Sequence, residues 1–179
     1  MIAFLACGRL LWAGTLVTVE TEKARLTIEL LKRFVRLERH LRQRPVIRVL
    51  ILAPKLRTAF QDQNLVNQVV LEEFQKDALF DCQVVATGPL VIKDLLHQRF
   101  DILYIAGMVP RIKRILVLAR ERKVLTVSHL TELVSLGLAL SLDLERRRAC
   151  IIANKETWRR LGLDLPNPIL KRIVFLSGR

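Results

Sequence analysis

Short apolar runs alternate along the chain with longer stretches that have helical spacing. Four runs are nearly all apolar and too short for helices, so they predict buried strands: residues 46–53, 82–86, 100–106 and 124–127. Four stretches repeat apolar residues at helical intervals and predict helices: residues 21–41, 65–74, 90–98 and 109–122. Strands that alternate with helices in this way indicate right-handed crossovers and a parallel sheet.

The pattern changes after the fourth predicted strand. Ser128 offers an oxygen that would cap a helix, and Gly137 stands where that helix must stop. Residues 138–144 alternate leucine with small or polar side chains, which is typical of a strand with one buried face. A charged tip reverses the chain into a second apolar strand at 149–153. Two further helices are expected, one capped by Asn154 and one by Asn167 with Pro168 at its first position.

These elements predict an α/β fold with a mostly parallel twisted sheet and helices on both faces. The C-terminal hairpin adds an antiparallel strand, which such a sheet accepts at its edge. A length of 179 residues and a hydrophobic content of 51% suit one domain with a substantial core. We therefore expect residues 20–179 to form a single domain.

Residues 1–19 are apolar, and two interpretations of them stay open. Gly8 and Arg9 split the segment, so no apolar run is long enough to span a membrane. The segment resembles a degenerate signal peptide, with Arg9 as its basic residue and residues 10–19 as its short apolar core. The alternative is an apolar first strand. A functional export signal would place the protein in the periplasm, and without one the protein would be cytoplasmic.

The net charge of +13 comes from 30 Lys and Arg against 17 Asp and Glu. Solvated helix faces are the simplest interpretation of this charge, and an anionic surface or partner is the second interpretation. Specific nucleic-acid binding is disfavoured because the basic residues are spread over the whole chain. Aromatic residues make up only 6% of the sequence, which suits a base-stacking surface poorly.

The sequence carries few candidates for chemistry. It contains no phosphate-binding glycine loop and no common hydrolase or zinc-protease signature. His40, His97 and His129 lie far apart rather than at metal-ligand spacing, so we interpret them as structural or exposed and expect no metal or cofactor. Lys55 and Arg57 could hold an anion at the start of the second helix, although solvated side chains are the simpler interpretation. We expect no catalytic residues, and a small enzyme whose groups converge from distant strand ends is the competing hypothesis.

Cysteines and acidic residues add little to this inventory. Cys82 and Cys150 could pair only if their strands were neighbours, so buried free thiols are expected. Asp81 and Asp101 open predicted strands. Because ligands of parallel α/β sheets bind beyond the carboxyl ends of the strands, we interpret these two carboxylates as strand-start residues. Ser128 is interpreted as a helix cap rather than a nucleophile.

The order of these hydrophobic blocks resembles the YfiR-like family of small bacterial periplasmic proteins. The resemblance extends from Glu20 to Leu176. The matching positions are Glu22–Leu26 and Phe34–Val35, Ile47–Leu52, Ile102–Ile105, then Leu125, Thr126, Val127 and Ser128 with Gly137, and finally Asn154, Gly162, Leu163, Ile169 and Leu170.

The chain also departs from the family pattern. Glu38 and Arg39 replace a Trp-Pro pair, Leu138 replaces a second glycine, Ala153 replaces an isoleucine, and Phe100 stands where family members often have cysteine. The family's disulfides are therefore not expected here.

The resemblance implies a non-enzymatic α/β domain that regulates a partner in the periplasm. Family members repress an inner-membrane diguanylate cyclase by binding its periplasmic sensor domain, and thereby control cyclic-di-GMP output, biofilm formation and motility. An outer-membrane lipoprotein with a peptidoglycan-binding domain releases them. For this chain we accordingly expect a membrane-anchored sensor, either a diguanylate cyclase or a kinase, as partner, with a homodimer as a further option. A basic cytoplasmic α/β module for an anionic ligand or nucleic acid is the alternative.

Overall fold

The structure is a computed structural model that describes residues 4–54, 61–86, 99–145 and 148–177. The helices in these ranges are α1 Phe4–Leu37, α2 Gln61–Gln75, α3 Ile112–Glu121, α4 Glu132–Ser135, α5 Lys155–Leu161 and α6 Asn167–Leu170. The strands are β1 Ile47–Ala53, β2 Phe80–Ala86, β3 Ile102–Ile105, β4 Leu125–Ser128, β5 Leu140–Glu145, β6 Arg148–Asn154 and β7 Ile173–Leu176. The helix predicted at 90–98 lies outside the described residues.

The described strands form one sheet in the order β2-β1-β3-β4-β5-β6-β7. The first five are mutually parallel, as the alternation of strands and helices predicts. β6 turns back antiparallel to β5, and β7 then pairs with β6 in parallel. The predicted α/β class, with its mostly parallel sheet and C-terminal antiparallel hairpin, is confirmed.

Two apolar cores cover the two faces of the sheet. On one face, α1, α2 and α5 contribute side chains such as Ile28, Phe74 and Trp158. On the other face, α3 and α4 contribute Ile115, Leu116 and Leu133. The central strands are buried on both sides, which is why β1 is apolar except for Arg48 and β3 is apolar or aromatic throughout.

Helix α1 differs from its prediction at both ends. It begins at Phe4 rather than near Thr21, so the interpretation of residues 1–19 as a first strand is wrong. It ends at Leu37 rather than Leu41, because the Glu38 carboxylate accepts hydrogen bonds from the backbone N–H groups of His40 and Leu41, 2.8 and 2.7 Å away. Those bonds favour a turn over another helical residue. None of the helices in the described ranges is long and apolar enough to cross a membrane.

The last two elements also differ from prediction. Asn167 is not the cap of α6, since it is the first helical residue and the capping position is Pro166, which makes no side-chain bond. Strand β7 was not predicted, because Ile173–Leu176 is only one short apolar run directly after a helix. This strand, rather than the hairpin, forms the C-terminal edge of the sheet.

Cys82 and Cys150 lie on strands that are far apart in the sheet. Cys82 is on β2 at one edge, and Cys150 is on β6, with four strands between them. Both are free thiols, as expected. Burial, together with the neighbouring carboxylate of Asp81, raises the pKa of Cys82 to about 12. The group is therefore a protonated thiol at neutral pH, a poor nucleophile and metal ligand.

Candidate functional site

Several positions that carry the family resemblance meet in one buried set of polar contacts, which we call the Asn154 network. Its side chains come from Thr126, Asn154 and Thr157, and its backbone groups come from Val134, Gly137, Ala139 and Thr157. The Asn154 side chain accepts a hydrogen bond from the Thr157 N–H at 2.9 Å and donates one to the Val134 carbonyl at 2.9 Å. The predicted cap at Asn154 is thus confirmed, and the same amide also ties β6 to α4.

Two further side chains complete the network. Thr126 on β4 accepts a bond from the Ala139 N–H at 2.8 Å, and the Thr157 hydroxyl donates to the Gly137 carbonyl at 2.9 Å. Gly137 has a φ of +107°, a conformation that side chains with a Cβ rarely adopt. Glycine is therefore required where the chain leaves α4, and the network holds that turn against the start of α5.

Ser128 does not cap a helix, contrary to the sequence interpretation. It is the last residue of β4, and the residue at the capping position of α4 is Thr131. The Ser128 hydroxyl donates to the Ile105 carbonyl at 2.7 Å and accepts from the Leu130 N–H at 3.1 Å. This fully buried hydroxyl links β3 to the loop after β4, so it is a structural group in the sheet rather than an exposed nucleophile.

A cleft of about 300 Å³ opens at the amino ends of the parallel strands. The family-motif positions Leu125 and Leu163 line it, together with Glu38, His40, Leu41, Arg44, Asp101, Lys123 and Leu161. Gly162, also a motif position, ends α5 with a φ of +68° and so turns the chain toward this cleft.

The two carboxylates of this cleft are already engaged by the protein. Glu38 is fully buried, and besides the two bonds that end α1 it accepts one from the Asp164 N–H at 3.2 Å. Asp101 accepts from the Arg48 N–H at 2.9 Å and pairs with the Arg44 guanidinium at 2.7 Å. Asp101 is thus the strand-start residue that the sequence predicts, and the cleft walls present few free acceptors.

The carboxyl ends of the strands hold a contact that sequence reasoning missed. The Tyr104 hydroxyl lies 3.1 Å from Nδ1 of His129, and Nε2 of His129 lies 3.3 Å from a carboxylate oxygen of Glu20. An ionised carboxylate only accepts hydrogen bonds, so Nε2 donates to Glu20. In the neutral imidazole Nδ1 then accepts from Tyr104. The position of His129 directly after a buried strand could be seen in the sequence. Nothing in the sequence indicated that Glu20 lies next to it.

The electrostatics of this contact favour a structural role. Burial raises the pKa of Tyr104, which is completely buried and remains a neutral phenol. The hydrogen bond from His129 lowers the pKa of Glu20, whose side chain is 43% exposed, and burial partly opposes that shift. The three side chains together join α1 to the sheet, through Glu20 on α1, His129 after β4 and the buried Tyr104 on β3.

The remaining candidates from the sequence do not assemble into a site within the described residues. Lys55, Arg57 and His97 lie outside those residues. His40 lines the cleft at the amino ends of the strands, at the opposite end of the sheet from the Tyr104–His129 contact. In the described part of the chain, no three His, Cys, Asp or Glu side chains are placed to hold a metal ion.

Solved structures of binding proteins resemble this fold. A substrate-binding protein with adhesive properties from Clostridium difficile, in its ligand-free open form, matches with a TM-score of 0.62 and 14% identity over 86% of this chain and 59% of that one. An ABC domain from Streptococcus pneumonia in complex with L-Trp matches with a TM-score of 0.57 and 12% identity over 84% of this chain and 60% of that one.

A conserved domain protein from Vibrio cholerae matches with a TM-score of 0.62 and 13% identity, over 85% of this chain and 59% of that one. At these identities the likeness shows the fold alone. The matched region spans about three fifths of each of these longer chains. No family model matches the chain, and no curated protein matches it.

Replacing Asn154 tests the network directly. Asn154→Ala should lower the free energy of unfolding by about 1–2 kcal/mol, because it removes a helix cap and one of the hydrogen bonds to the Val134 carbonyl, which keeps its bond from the Gly137 N–H. Chemical denaturation monitored by circular dichroism measures this loss. Asn167→Ala is the matched control and should change stability by less than about 0.5 kcal/mol, since Asn167 makes no cap. Equal effects of the two substitutions would contradict the network.

The Glu20–His129 contact predicts a dependence of stability on pH. Because the pKa of Glu20 is lowered in the folded state, its stabilising contribution is present above the unfolded pKa of about 4.3 and disappears as pH falls through the folded pKa. Glu20→Gln should therefore cost a few tenths of a kcal/mol to about 1 kcal/mol at pH 7 and a smaller amount at about pH 3, which lies below the unfolded pKa. Denaturation at both pH values measures the difference, with Glu29→Gln on the same helix as control. A cost that is the same at both pH values would contradict the contact.

Proposed function

We propose that the chain is a non-enzymatic regulatory protein that acts by contact with another protein, as its resemblance to the YfiR-like family implies. In this proposal it works in the periplasm. Its partner is a membrane-anchored sensor, a diguanylate cyclase or a kinase, and an outer-membrane peptidoglycan-binding lipoprotein is a second partner that releases it. The regulated output is cyclic-di-GMP.

The observation that carries the proposal is the Asn154 network. Thr126, Gly137 and Asn154 are separate short matches in the sequence, and each taken alone is a weak signal. In the structure they are bonded into one buried unit through Ala139, Val134 and Thr157. Matching positions that contact one another in the structure are stronger support for a shared architecture than isolated matches are. That architecture is the basis of the resemblance.

The chemistry of the described residues agrees with a role in binding. Ser128 and Tyr104, the side chains at the strand ends with hydroxyl groups, are both buried and engaged in the protein's own hydrogen bonds. Cys82 carries a raised pKa and is a weak nucleophile. The solved structures with the same fold include a substrate-binding protein, which supports binding as the use of this architecture.

Cellular cyclic-di-GMP is the readout that tests the proposal. Deleting the gene should raise cyclic-di-GMP and biofilm formation, and expression of the intact chain should return both to the starting level. Fractionation should recover the protein from the periplasm. An unchanged cyclic-di-GMP level together with a strictly cytoplasmic protein would contradict the proposal. Salt-sensitive binding of DNA or RNA by that cytoplasmic protein would favour the basic binding module instead.

A further inference from the structure

The C-terminal edge strand β7 exposes an unusual run of apolar side chains. Val174, Phe175 and Leu176 are 47%, 38% and 37% exposed, and they are consecutive in the sequence. β7 pairs with β6 along one side only, and among the described strands none pairs with its other side. Its outward N–H and C=O groups therefore offer a template for another extended chain.

The opposite edge of the same sheet provides a comparison. β2 carries the exposed polar residues Asp81 and Gln83, and natural proteins use such residues to prevent edge strands from pairing. β7 has no charged or polar residue in its four positions. Among the described strands, one edge of the sheet thus carries exposed polar residues, and the other is unpaired and apolar.

β7 is nevertheless held firmly in the sheet. Ile173 is buried in the core, and Phe175 packs edge-on against Trp158 with ring centroids 5.3 Å apart. Val174 and Leu176 alternate with these residues and so point to the other face of the sheet. The exposed side chains therefore belong to a strand that is anchored in the sheet.

We infer that a protein partner binds at β7 by adding an extended segment to the sheet as a new strand. The segment carries acidic residues, which lie beside Lys171 and Arg172 when it is bound. This inference rests on the proposed function, because it names the surface through which the regulatory contact is made. The main-chain groups of β7 would supply affinity, and Val174 and Leu176 would receive apolar side chains of the added strand.

Charge identifies the kind of segment that fits. Lys171 and Arg172 are exposed immediately before β7, and neither makes an ion pair among the described residues. The whole chain carries a net charge of +13. A second copy would bring the same positive charge to the interface, whereas an acidic segment would be attracted and oriented by it.

A phage-displayed library of random linear peptides is the probe for this surface. The enriched peptides should alternate apolar residues and carry aspartate or glutamate toward one end. Val174→Glu combined with Leu176→Glu should weaken their binding by about tenfold or more, because it places negative charges that repel the acidic peptides on the docking strand. Val84→Glu is the matched control, since Val84 is an exposed valine on the opposite edge strand β2. It should leave binding unchanged.

Several outcomes would overturn the inference. They are a failure to enrich any peptide, enriched peptides without acidic residues, and peptides that bind the double variant as tightly as the original chain. Self-association in sedimentation that the double substitution abolishes would assign β7 to a second copy instead. Circular dichroism should show that both variants fold, since all three substituted side chains are exposed.

The same variants separate this inference from the proposed function. If the original chain lowers cellular cyclic-di-GMP and the double variant does not, both hold. If the double variant lowers cyclic-di-GMP as well as the original chain does, the regulatory function stands and the contact surface lies elsewhere. If the original chain does not alter cyclic-di-GMP although peptides bind β7, the strand-addition site stands without the proposed output.

Discussion

The C-terminal half of this protein depends on one side chain, the amide of Asn154. A parallel α/β sheet is built from repeated crossovers, but here β6 reverses direction and the repeat ends. At that point Asn154 caps α5 through the Thr157 N–H and donates to the Val134 carbonyl of α4. Both partners are backbone groups of buried residues in different elements, so one side chain fixes the orientation of α4, β6 and α5 together.

That fixed geometry determines how the sheet ends. Because β6 is held antiparallel to β5, the next strand is laid outside it, and β7 becomes the C-terminal edge. Trp158 on α5 packs against Phe175 on β7 and so connects the capped helix to the edge strand. The Asn154 network is thereby connected to the apolar edge at which we infer partner binding. In that inference, the fold and the contact surface are linked through packing.

Sequence patterns correctly predicted the structural features that depend only on residues close to one another in the chain. The apolar run at β1, the helical spacing of α3 and the cap at Asn154 all follow from residues within a few positions of one another. Ser128 was misinterpreted because its hydroxyl bonds to Ile105 on an adjacent strand, a partner that its flanking residues do not reveal. Glu20, Tyr104 and His129 meet only because α1 crosses the carboxyl ends of β3 and β4. The short strand β7 was not predicted because its four consecutive apolar residues show neither a helical nor an alternating pattern.

Amide hydrogen exchange tests most directly the claim that the Asn154 network is rigid and leaves β7 as an open edge. The N–H groups of Ala139 and Thr157, bonded to buried side-chain oxygens, should exchange only through global unfolding. The amides of β7 that face away from β6 should exchange quickly in the free protein and become protected when an acidic extended segment is bound. Slow exchange of every β7 amide in the free protein, or fast exchange at Ala139 and Thr157, would contradict the account.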